Sequence, residues 1–364
     1  MRDGGLRTAG AAALTVALLS ACSSTSDDSR PLTTPSPTAT PTASALPAPT
    51  RAPSIAPVVL AISVDGLNPE ALMMLGPDEL PTFARLMSEG SSTLDARTAY
   101  ELTITLPNHT GMLTGRRVDG EQGTSVTFND DDGRTLSDVH GSYVPGMFDV
   151  AHDRGVRTAM FAEKDKFRFL VRSWDRTHGA DDVAGNDDGR DKIDAADIAP
   201  AAELVDDVID AMRRDGSGLI FWHLSGPDAA GHADGWLTRP YLDAVEGVDR
   251  HLGEVLAALD ADPQLAARTT IILTADHGGP RGQRAHSDDA LEANYRIPFV
   301  AWGRGVATGA DLYALDPARA DPGNGRPGYT GAQPVRNLDV ADTALRLLGL
   351  PELPDAPGSP VVLQ

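Results

Sequence analysis

Cysteine, lysine and positive charge in general are scarce in this 364-residue sequence. The single cysteine, Cys22, has no partner for a disulfide within the chain and cannot build a thiolate metal site. Lysine occurs only at Lys164, Lys166 and Lys192, and 31 Lys and Arg residues face 52 Asp and Glu, which gives a formal net charge of -21. Such an acidic surface repels phosphate backbones, so we expect no nucleic-acid binding. A small anionic substrate would need a local cation to offset this charge.

Long apolar runs are also missing. No segment after the N-terminus reaches about 18 unbroken apolar residues, so we predict no transmembrane helix there. At the N-terminus, two arginines precede an apolar stretch over residues 9–19, and Leu19-Ser20-Ala21-Cys22 follows. This pattern is typical of a secretory signal peptide, and its end is similar to a bacterial lipobox. We therefore expect residues 1–22 to be a lipoprotein signal peptide and the protein to be extracytoplasmic, attached to the cell membrane through lipid on Cys22. An ordinary signal peptide with an incidental cysteine is the alternative.

Composition divides the rest of the chain. Residues 23–57 are almost entirely Ser, Thr, Pro and Ala, which predicts a disordered tether because dense proline blocks helices and sheet ladders. The chain is 41% hydrophobic overall, enough for a sizeable core, and we place the folded catalytic domain at residues 58–350. Residues 351–364 are interpreted as a C-terminal tail.

Apolar runs alternate with helical patterns along the domain. Runs typical of strands buried on both faces cover Val58–Val64, Arg157–Ala162, Gly218–His223, Thr269–Thr274 and Ile297–Trp302. Helical spacing covers Leu80–Ser88, Ala201–Arg213, Leu237–Leu259 and Asp339–Leu348. This alternation predicts an α/β fold, a doubly wound and mostly parallel sheet with helices on both faces. Ligands of such a sheet lie at the carboxyl ends of its strands.

Two stretches rich in Asp, Gly and Asn interrupt this pattern. Val118–Ser137 and Gly179–Asp197 are interpreted as solvated insertions at the rim. Asn186-Asp187-Asp188-Gly189 is superficially similar to a calcium loop. With Gly189 at the sixth position, however, the first ligand position would fall on Ala184, which has no side-chain oxygen.

Polar side chains cluster where predicted strands end or helices begin. Taken singly, each has an ordinary explanation: Asp65-Gly66 is a turn, Thr105 caps a helix that has Pro107 in its first turn, and Asp228 and His232 share a turn. Together they supply three carboxylates, three imidazoles and a hydroxyl, which suits two zinc ions working on a phosphoester. The residues are Asp65, Thr105, Asp228, His232, Asp276, His277 and His286.

The order of these motifs resembles the alkaline phosphatase superfamily and, within it, the type I phosphodiesterase/nucleotide pyrophosphatase family. The motifs are Asp65, Thr-Leu-Pro-Asn-His from Thr105, Pro-Asp-x-x-Gly-His from Pro227, Asp-His-Gly-Gly from Asp276, and a late His286. The resemblance implies an alkaline-phosphatase-like fold and a phospho-threonine intermediate on Thr105. It also implies that one metal is held by Asp65, Thr105, Asp276 and His277, and a second by Asp228, His232 and His286.

The chain departs from that family pattern at several positions. Gln122-Gly123 replaces the usual His-Gly, and Leu106 replaces an aromatic residue that often stacks on a nucleobase. Asn129 is the nearest candidate for the family's phosphate-contacting Asn, and Lys164 is a candidate rim contact for an anion. Sulfatase chemistry is disfavoured because it needs Cys or Ser where Thr105 stands. No role is assigned to the remaining histidines, His109, His140, His152, His178, His223 and His251.

We therefore predict a two-zinc phosphoester hydrolase, most consistent with a phosphodiesterase or nucleotide pyrophosphatase acting on a small phosphoester. The alternatives are a phosphomonoesterase or phosphonate hydrolase on the same scaffold, or a noncatalytic metal-binding envelope lipoprotein. Diesters are expected to be preferred over monoesters, because Ile104, Leu106 and Pro107 flank Thr105 without a basic side chain. The nearest arginines in sequence, Arg116 and Arg117, lie about 15 Å away along a helix.

Overall fold

A computed structural model describes residues 56–185 and 189–364. The predicted signal peptide, Cys22, nearly all of the predicted tether and three residues of the rejected calcium loop lie outside this described part.

Within the described ranges, eight strands and thirteen α-helices form the domain. The strands are β1 (Val58–Val64), β2 (Ser91–Arg97), β3 (Arg157–Ala162), β4 (Ala195–Ile198), β5 (Gly218–Leu224), β6 (Thr269–Thr274), β7 (Arg296–Gly303) and β8 (Ala310–Asp311). The helices are α1 (Pro69–Glu79), α2 (Pro81–Glu89), α3 (Thr105–Thr114), α4 (Leu136–His140), α5 (Met147–His152), α6 (Arg168–Ser173), α7 (Ala201–Arg213), α8 (Gly226–Asp234), α9 (Arg239–Ala261), α10 (Pro263–Ala266), α11 (Glu292–Tyr295), α12 (Leu312–Leu315) and α13 (Val340–Leu347). Short 3₁₀ turns cover Asp165–Phe167 and Asn337–Asp339.

The eight strands form one mixed sheet in the order β4-β3-β5-β1-β6-β7-β2-β8. All its neighbouring pairs are parallel except the two made by β7, which is antiparallel to β6 and β2. One group of helices, α1, α2, α7, α8 and α9, packs together, and a second group, α3, α5 and α13, packs together on the other side. The predicted doubly wound, mostly parallel α/β fold is confirmed.

The central strands are buried on both faces, as their unbroken apolar sequences predict. All seven residues of β1, all seven of β5 and all six of β6 are buried. The register aligns Ser63 of β1 with His223 of β5 and Thr274 of β6. The chain segments that leave these three strands therefore meet at one edge of the sheet.

The segment after Leu350, interpreted above as a tail, packs on the domain. Leu353, Val361 and Leu363 are buried, and the Ala307 N–H donates to Leu363 O at 2.7 Å. The folded domain thus continues to the last residues of the chain.

Among the helices of residues 56–185 and 189–364, none is both long and apolar enough to cross a membrane.

Candidate active site

Three strand ends deliver the polar side chains of the site. Asp65 follows β1, Asp228 lies in α8 after β5, and Asp276 and His277 follow β6. Asp228 and His232 lie one turn apart on α8, so a helix holds them rather than the turn that the sequence suggested. All three aspartates and His277 are buried.

Each of the three carboxylates has one oxygen held by the protein. Asp276 Oδ1 accepts from the N–H groups of Gly66 and His277, at 3.0 and 2.9 Å. Asp65 Oδ2 contacts Lys164 Nζ at 2.6 Å and His223 Nε2 at 2.9 Å, and Asp228 Oδ2 contacts Lys164 Nζ at 2.6 Å. The other oxygens, Asp65 Oδ1, Asp228 Oδ1 and Asp276 Oδ2, are buried and have no hydrogen-bond partner within the described part of the chain.

The three histidines repeat this arrangement with their two nitrogens. The Nδ1 atoms of His232, His277 and His286 lie 2.9, 2.8 and 2.6 Å from the carbonyl oxygens of Arg284, Gly278 and Thr103. A carbonyl can only accept, so each Nδ1 carries a proton, and in the neutral imidazole each Nε2 is left with its lone pair. An Nδ1–H donated to a backbone carbonyl is the usual support of a metal-binding imidazole.

The remaining carboxylate oxygens and the Nε2 atoms converge on one small volume, in which Nε2 of His232 and Nε2 of His286 lie 3.2 Å apart. His277 Nε2 lies 3.4 Å from Asp65 Oδ1, 3.7 Å from Asp228 Oδ1 and 3.2 Å from Asp276 Oδ2. Asp228 Oδ1 also lies 3.4 Å from His232 Nε2 and 3.7 Å from His286 Nε2. Two ligand groups emerge, Asp65 with Asp228 and His277, and Asp228 with His232 and His286.

This donor set fits divalent cations. Buried, unpaired carboxylate oxygens are costly unless a cation meets them. Mixed imidazole and carboxylate donors suit zinc among the common metals. Two adjacent ligand groups fit two ions.

Two glycines and one tryptophan pack closely beneath the polar side chains of the site. Gly66 has a φ of +71°, and a Cβ there would lie 3.0 Å from the Cα of Asp228. Gly279 lies against the ring of Trp236, where a Cβ would come within 2.2 Å. Trp236 is fully buried and donates its Nε1–H to Gly66 O at 3.0 Å, and its ring lies edge-on to His286. It therefore packs beneath the site and supports the imidazole of His286.

Thr105 is the first residue of α3, and Ile104 occupies the N-cap position. The prediction of Thr105 as the cap is therefore wrong by one residue. This leaves its hydroxyl unused by the capping bond that the sequence suggested. Thr105 is buried, and its carbonyl lies 2.8 Å from Nδ1 of His109, which in turn lies 3.7 Å from Asp276 Oδ2. His109 thus places the start of α3 beside Asp276.

Two further links fix α3 against the ligand-bearing loops. Thr103 Oγ1 donates to His286 O at 2.6 Å, the reverse of the His286 Nδ1 bond to Thr103 O. Asn337 Nδ2 donates to Asn108 Oδ1 at 3.0 Å and lies 3.4 Å from Asp276 O. The helix start, the His286 loop and the end of β6 are therefore held as one unit.

Asn129 lies at the N-terminus of α3 despite its long spacing in the sequence. Its Oδ1 accepts from the N–H of Leu106 at 2.9 Å, directly after Thr105. Because the carbonyl oxygen is engaged, the amide carries its Nδ2 group as a donor beside the threonine. That placement agrees with a contact to a phosphoryl oxygen.

The charged side chains of the site shift one another's pKa values. Burial would raise the pKa of Asp65, but Lys164, His223 and His277 hold it well below its usual range. Burial and the charge of Asp65 raise the pKa of Asp276 to about 7. Burial would lower the pKa of His277, but Asp276, Asp65 and Asp228 raise it to about 9. Burial and the charge of His277 lower the pKa of His286 to about 2.

Sequence reasoning missed His109 and His223. His223 ends the buried strand β5 and meets Asp65 at 2.9 Å, and His109 Nε2 lies 2.8 Å from Ser63 Oγ on β1. Phe167 packs against both rings, at centroid distances of 4.8 and 4.2 Å. An imidazole inside an otherwise apolar strand, beside the strand that carries Asp65, was the available signal for His223.

Another histidine that received no role belongs to a different group. His152, Asp153 and Asp182 lie together, with the ammonium of the buried Lys192 between the two aspartates. Lys192 pairs with both carboxylates of this group. The group is separate from the strand-end cluster, which consists of Asp65, Asp228, His232, Asp276, His277 and His286.

A family model described as type I phosphodiesterase/nucleotide pyrophosphatase matches residues 59–327. The chain belongs to this family. The resemblance seen in the sequence is thereby confirmed.

Individual relatives of this phosphodiesterase-family chain match over shorter stretches. GPI ethanolamine phosphate transferase 1 of Chaetomium globosum is 34% identical over 130 residues, 36% of this chain and 13% of the transferase. A 2,3-bisphosphoglycerate-independent phosphoglycerate mutase of Thiobacillus denitrificans is 25% identical over 228 residues, 58% of this chain and 37% of the mutase. The chain thus spans well under half the length of these relatives.

Solved structures show the same fold at low identity. Murine ectonucleotide pyrophosphatase/phosphodiesterase 5, in complex with AMP, has a TM-score of 0.55 and 14% identity, covering 81% of this chain and 96% of that one. An alkaline phosphatase superfamily protein of Vibrio parahaemolyticus has a TM-score of 0.56 and 12% identity, covering 84% and 69%. The expected alkaline-phosphatase-like fold is confirmed.

Proposed function

We propose that this protein is a two-zinc phosphodiesterase in which Thr105 is the nucleophile. The observation that carries the proposal is the set of free atoms in the strand-end cluster. Asp65, Asp228 and Asp276 each have one oxygen held and one oxygen without a partner within the described residues. The three histidines direct their Nε2 atoms to the same volume.

The residues divide between two ions as the family pattern implies. By that pattern Asp65, Thr105, Asp276 and His277 would hold one ion, and Asp228, His232 and His286 the other. The second set lies together in the structure, and in the first set His277 Nε2 lies 3.4 Å from Asp65 Oδ1 and 3.2 Å from Asp276 Oδ2. Bound zinc would lower the pKa of the threonine hydroxyl and neutralise the phosphoryl oxygens. This chain of net charge -21 needs such cations to accept an anionic substrate.

The chemistry proceeds in two displacements. The Oγ1 of Thr105 forms a bond to phosphorus while the ester P–O bond breaks, and the leaving alcohol takes up a proton equivalent to the one lost by the threonine. Water then attacks the phospho-threonine, the P–Oγ1 bond breaks, and the threonine regains its proton as the phosphomonoester leaves. Asn129 Nδ2 would donate to a phosphoryl oxygen in both steps.

Diesters are the proposed substrates. The residues beside Thr105 are apolar, and the Lys164 ammonium is already paired with two carboxylates at 2.6 Å. Moving it to the second charge of a monoester would leave Asp65 and Asp228 without that partner, which is costly for buried carboxylates.

A substrate comparison tests the function. Zinc-loaded protein is assayed with bis-p-nitrophenyl phosphate and with p-nitrophenyl phosphate at one pH, before and after treatment with a chelator. We expect kcat/KM to be higher for the diester, to vanish with chelator and to return with added zinc. A higher value for the monoester would assign the site to a phosphomonoesterase. Metal binding without turnover of either ester would favour a noncatalytic envelope protein.

The N-terminal pattern adds a location to this proposal. We infer that the protein is held at the outer side of the cell membrane by lipid on Cys22, with small phosphoesters outside the cytoplasm as substrates. Support comes from the lipobox-like Leu19-Ser20-Ala21-Cys22 and the proline-rich stretch behind it.

A further inference from the structure

Lys164 is the one lysine or arginine that contacts the aspartates of the strand-end cluster among the described residues. Its Nζ lies 2.6 Å from Asp65 Oδ2 and 2.6 Å from Asp228 Oδ2. Under the proposed function these two aspartates bind different metal ions. A single ammonium therefore spans both halves of the metal centre.

The contacts of Lys164 help to fix which way the two carboxylates face, together with His223 in the case of Asp65. A carboxylate is planar, so fixing one oxygen fixes the direction of the other. With both Oδ2 atoms on Lys164, the Oδ1 atoms of Asp65 and Asp228 lie 3.4 and 3.7 Å from His277 Nε2. These two Oδ1 atoms are the ones left without hydrogen-bond partners in the described chain.

Lys164 is more buried than an ordinary residue at the rim of the site. Its side chain is 19% exposed, and those of Asp65 and Asp228 are 0% and 4% exposed. Lys166, two residues along, is half-buried, and burial together with the charge of Lys164 lowers its pKa. The two lysines thus share a loop, but the ammonium of Lys164 bridges the buried carboxylates.

We propose that Lys164 is a positioning residue that orients Asp65 and Asp228 for their two metal ions, and this rests on the proposed two-metal function. Groups that hold metal-binding carboxylates from behind commonly change metal affinity by 10- to 100-fold when they are removed. Charge alone predicts the opposite sign, because loss of a nearby ammonium removes repulsion of an incoming cation. The direction of the change therefore distinguishes positioning from mere proximity.

The test measures metal binding by the full chain carrying Lys164→Met, which keeps much of the aliphatic stem and removes the charged donor. Zinc affinity is determined by competition with a chelator of known affinity, and the cobalt-loaded protein is examined by visible absorption. We expect zinc to bind 10- to 100-fold more weakly and the cobalt bands to shift. Lys164→Arg, whose N–H groups can span two carboxylates, should recover most of the affinity. Unchanged or tighter zinc binding with unchanged cobalt bands would overturn the proposal.

Lys166→Met is the matched control and should bind zinc as the wild type does. If Lys164→Met does not fold, Lys164→Gln, which keeps an N–H donor but not the charge, is held to the same two outcomes. Wild-type protein that binds no zinc would overturn the two-metal function and this proposal with it. Wild-type zinc binding with no loss in the Lys164 variant would overturn only the role of Lys164.

Discussion

In several side chains of this site, one polar atom is hydrogen-bonded to the protein and the other is left available. The Oδ1 of Asp276 takes two backbone N–H groups, and its Oδ2 has no hydrogen-bond partner among the described residues. The same division appears between Nδ1 and Nε2 of His277. Side chains anchored through one atom lose little further freedom when the other atom binds, so the site is organised before any ligand arrives.

Thr105→Ala should abolish turnover without emptying the metal centre. The covalent step needs the hydroxyl, and its loss should lower kcat for a diester at least 10³-fold, about 4 kcal/mol of transition-state stabilisation. Six other proposed ligands remain, so zinc content by elemental mass spectrometry should stay near two per chain. Thr110→Ala, on the same helix with its hydroxyl bonded to Leu106 O, is the control and should keep most activity. Near-normal turnover by Thr105→Ala would disprove the nucleophile.

Asn129→Ala should reduce the rate while leaving zinc content unchanged. Its amide oxygen accepts from the Leu106 N–H, next to the proposed nucleophile. Among the described residues, no hydrogen bond joins Asn129 to the proposed metal ligands. Loss of one donor to a phosphoryl oxygen typically costs 10²- to 10³-fold in kcat. Steady-state kinetics on a diester, with zinc measured in parallel, checks this. A kcat within a few-fold of the wild type would remove Asn129 from the site.

At the scale of elements, strands with continuous apolar sequences were predicted well, and strands without them were missed. β1, β3 and β6 have the predicted bounds, because strands buried on both faces need apolar residues throughout. β2 and β4 were missed because Ser-Ser-Thr-Leu-Asp-Ala-Arg and Ala-Ala-Asp-Ile lack such runs. β4 is an edge strand paired only with β3 in the sheet, and most of its residues are partly exposed or exposed.

The site followed the same rule. Candidate ligands that directly follow a buried strand could be predicted, since chain order places them at a known edge of the sheet. The role of His223 and the bridge that Lys164 makes between two aspartates could not be predicted, because they depend on the side-by-side packing of β3, β5 and β1. That strand order cannot be read from residue spacing.

Helix α13 carries a buried carboxylate that should make stability depend on pH. Burial raises the pKa of Asp342 to about 6, and Oδ1 accepts from the Leu353 N–H at 2.8 Å. The protonated form is favoured in the folded state. Its stabilisation is therefore complete below the unfolded pKa of about 4 and is lost as pH rises through 6.

Asp342→Asn keeps a neutral group of the same shape at every pH. The free energy of unfolding of the variant should match that of the wild type near pH 4 and exceed it by about 1 to 2 kcal/mol at pH 8. Urea unfolding across this range measures the difference, with the exposed Asp78→Asn as the control. A constant difference at all pH values would show that ionisation of Asp342 is not its cause.

At the scale of the whole molecule, both ends of the described domain lie together and away from the site. A cavity of about 850 Å³ is lined by residues that include Ala56, Pro57, Leu363 and Gln364. Pro57 precedes the amino end of β1, and Asp65 follows its carboxyl end. Seven strand residues, about 23 Å, separate the two edges of the sheet.

Deletion of residues 360–364 should destabilise the whole domain. The deletion removes the buried side chains of Val361 and Leu363 and the bond of the Val361 N–H to Thr343 Oγ1. Burial of two such side chains contributes about 3 kcal/mol or more to the free energy of unfolding. Chemical unfolding should show this loss, whereas deletion of the exposed Gln364 alone should have little effect. Equal stability of the two deletions would mean that the segment does not support the core.

The proposed attachment to the membrane through lipid on Cys22 also concerns the whole molecule. Full-length protein made in a bacterium that processes lipoproteins should partition into detergent, and mass spectrometry should find a modified Cys22 at the mature N-terminus. Cys22→Ser should move the protein to the aqueous phase with unchanged kcat on a diester. An unmodified cysteine in the wild type would favour an ordinary signal peptide.

The shared position of the two ends of the described domain, near residues 56 and 364, determines how the protein can be attached to a surface. An attachment ahead of residue 56 or behind residue 364 reaches the domain on the side opposite the strand-end cluster. Immobilisation through either end should therefore leave the strand-end cluster facing solution. Beads coupled through an N-terminal or a C-terminal tag should hydrolyse soluble diesters at equal rates, and a C-terminal fusion partner should not block the cluster.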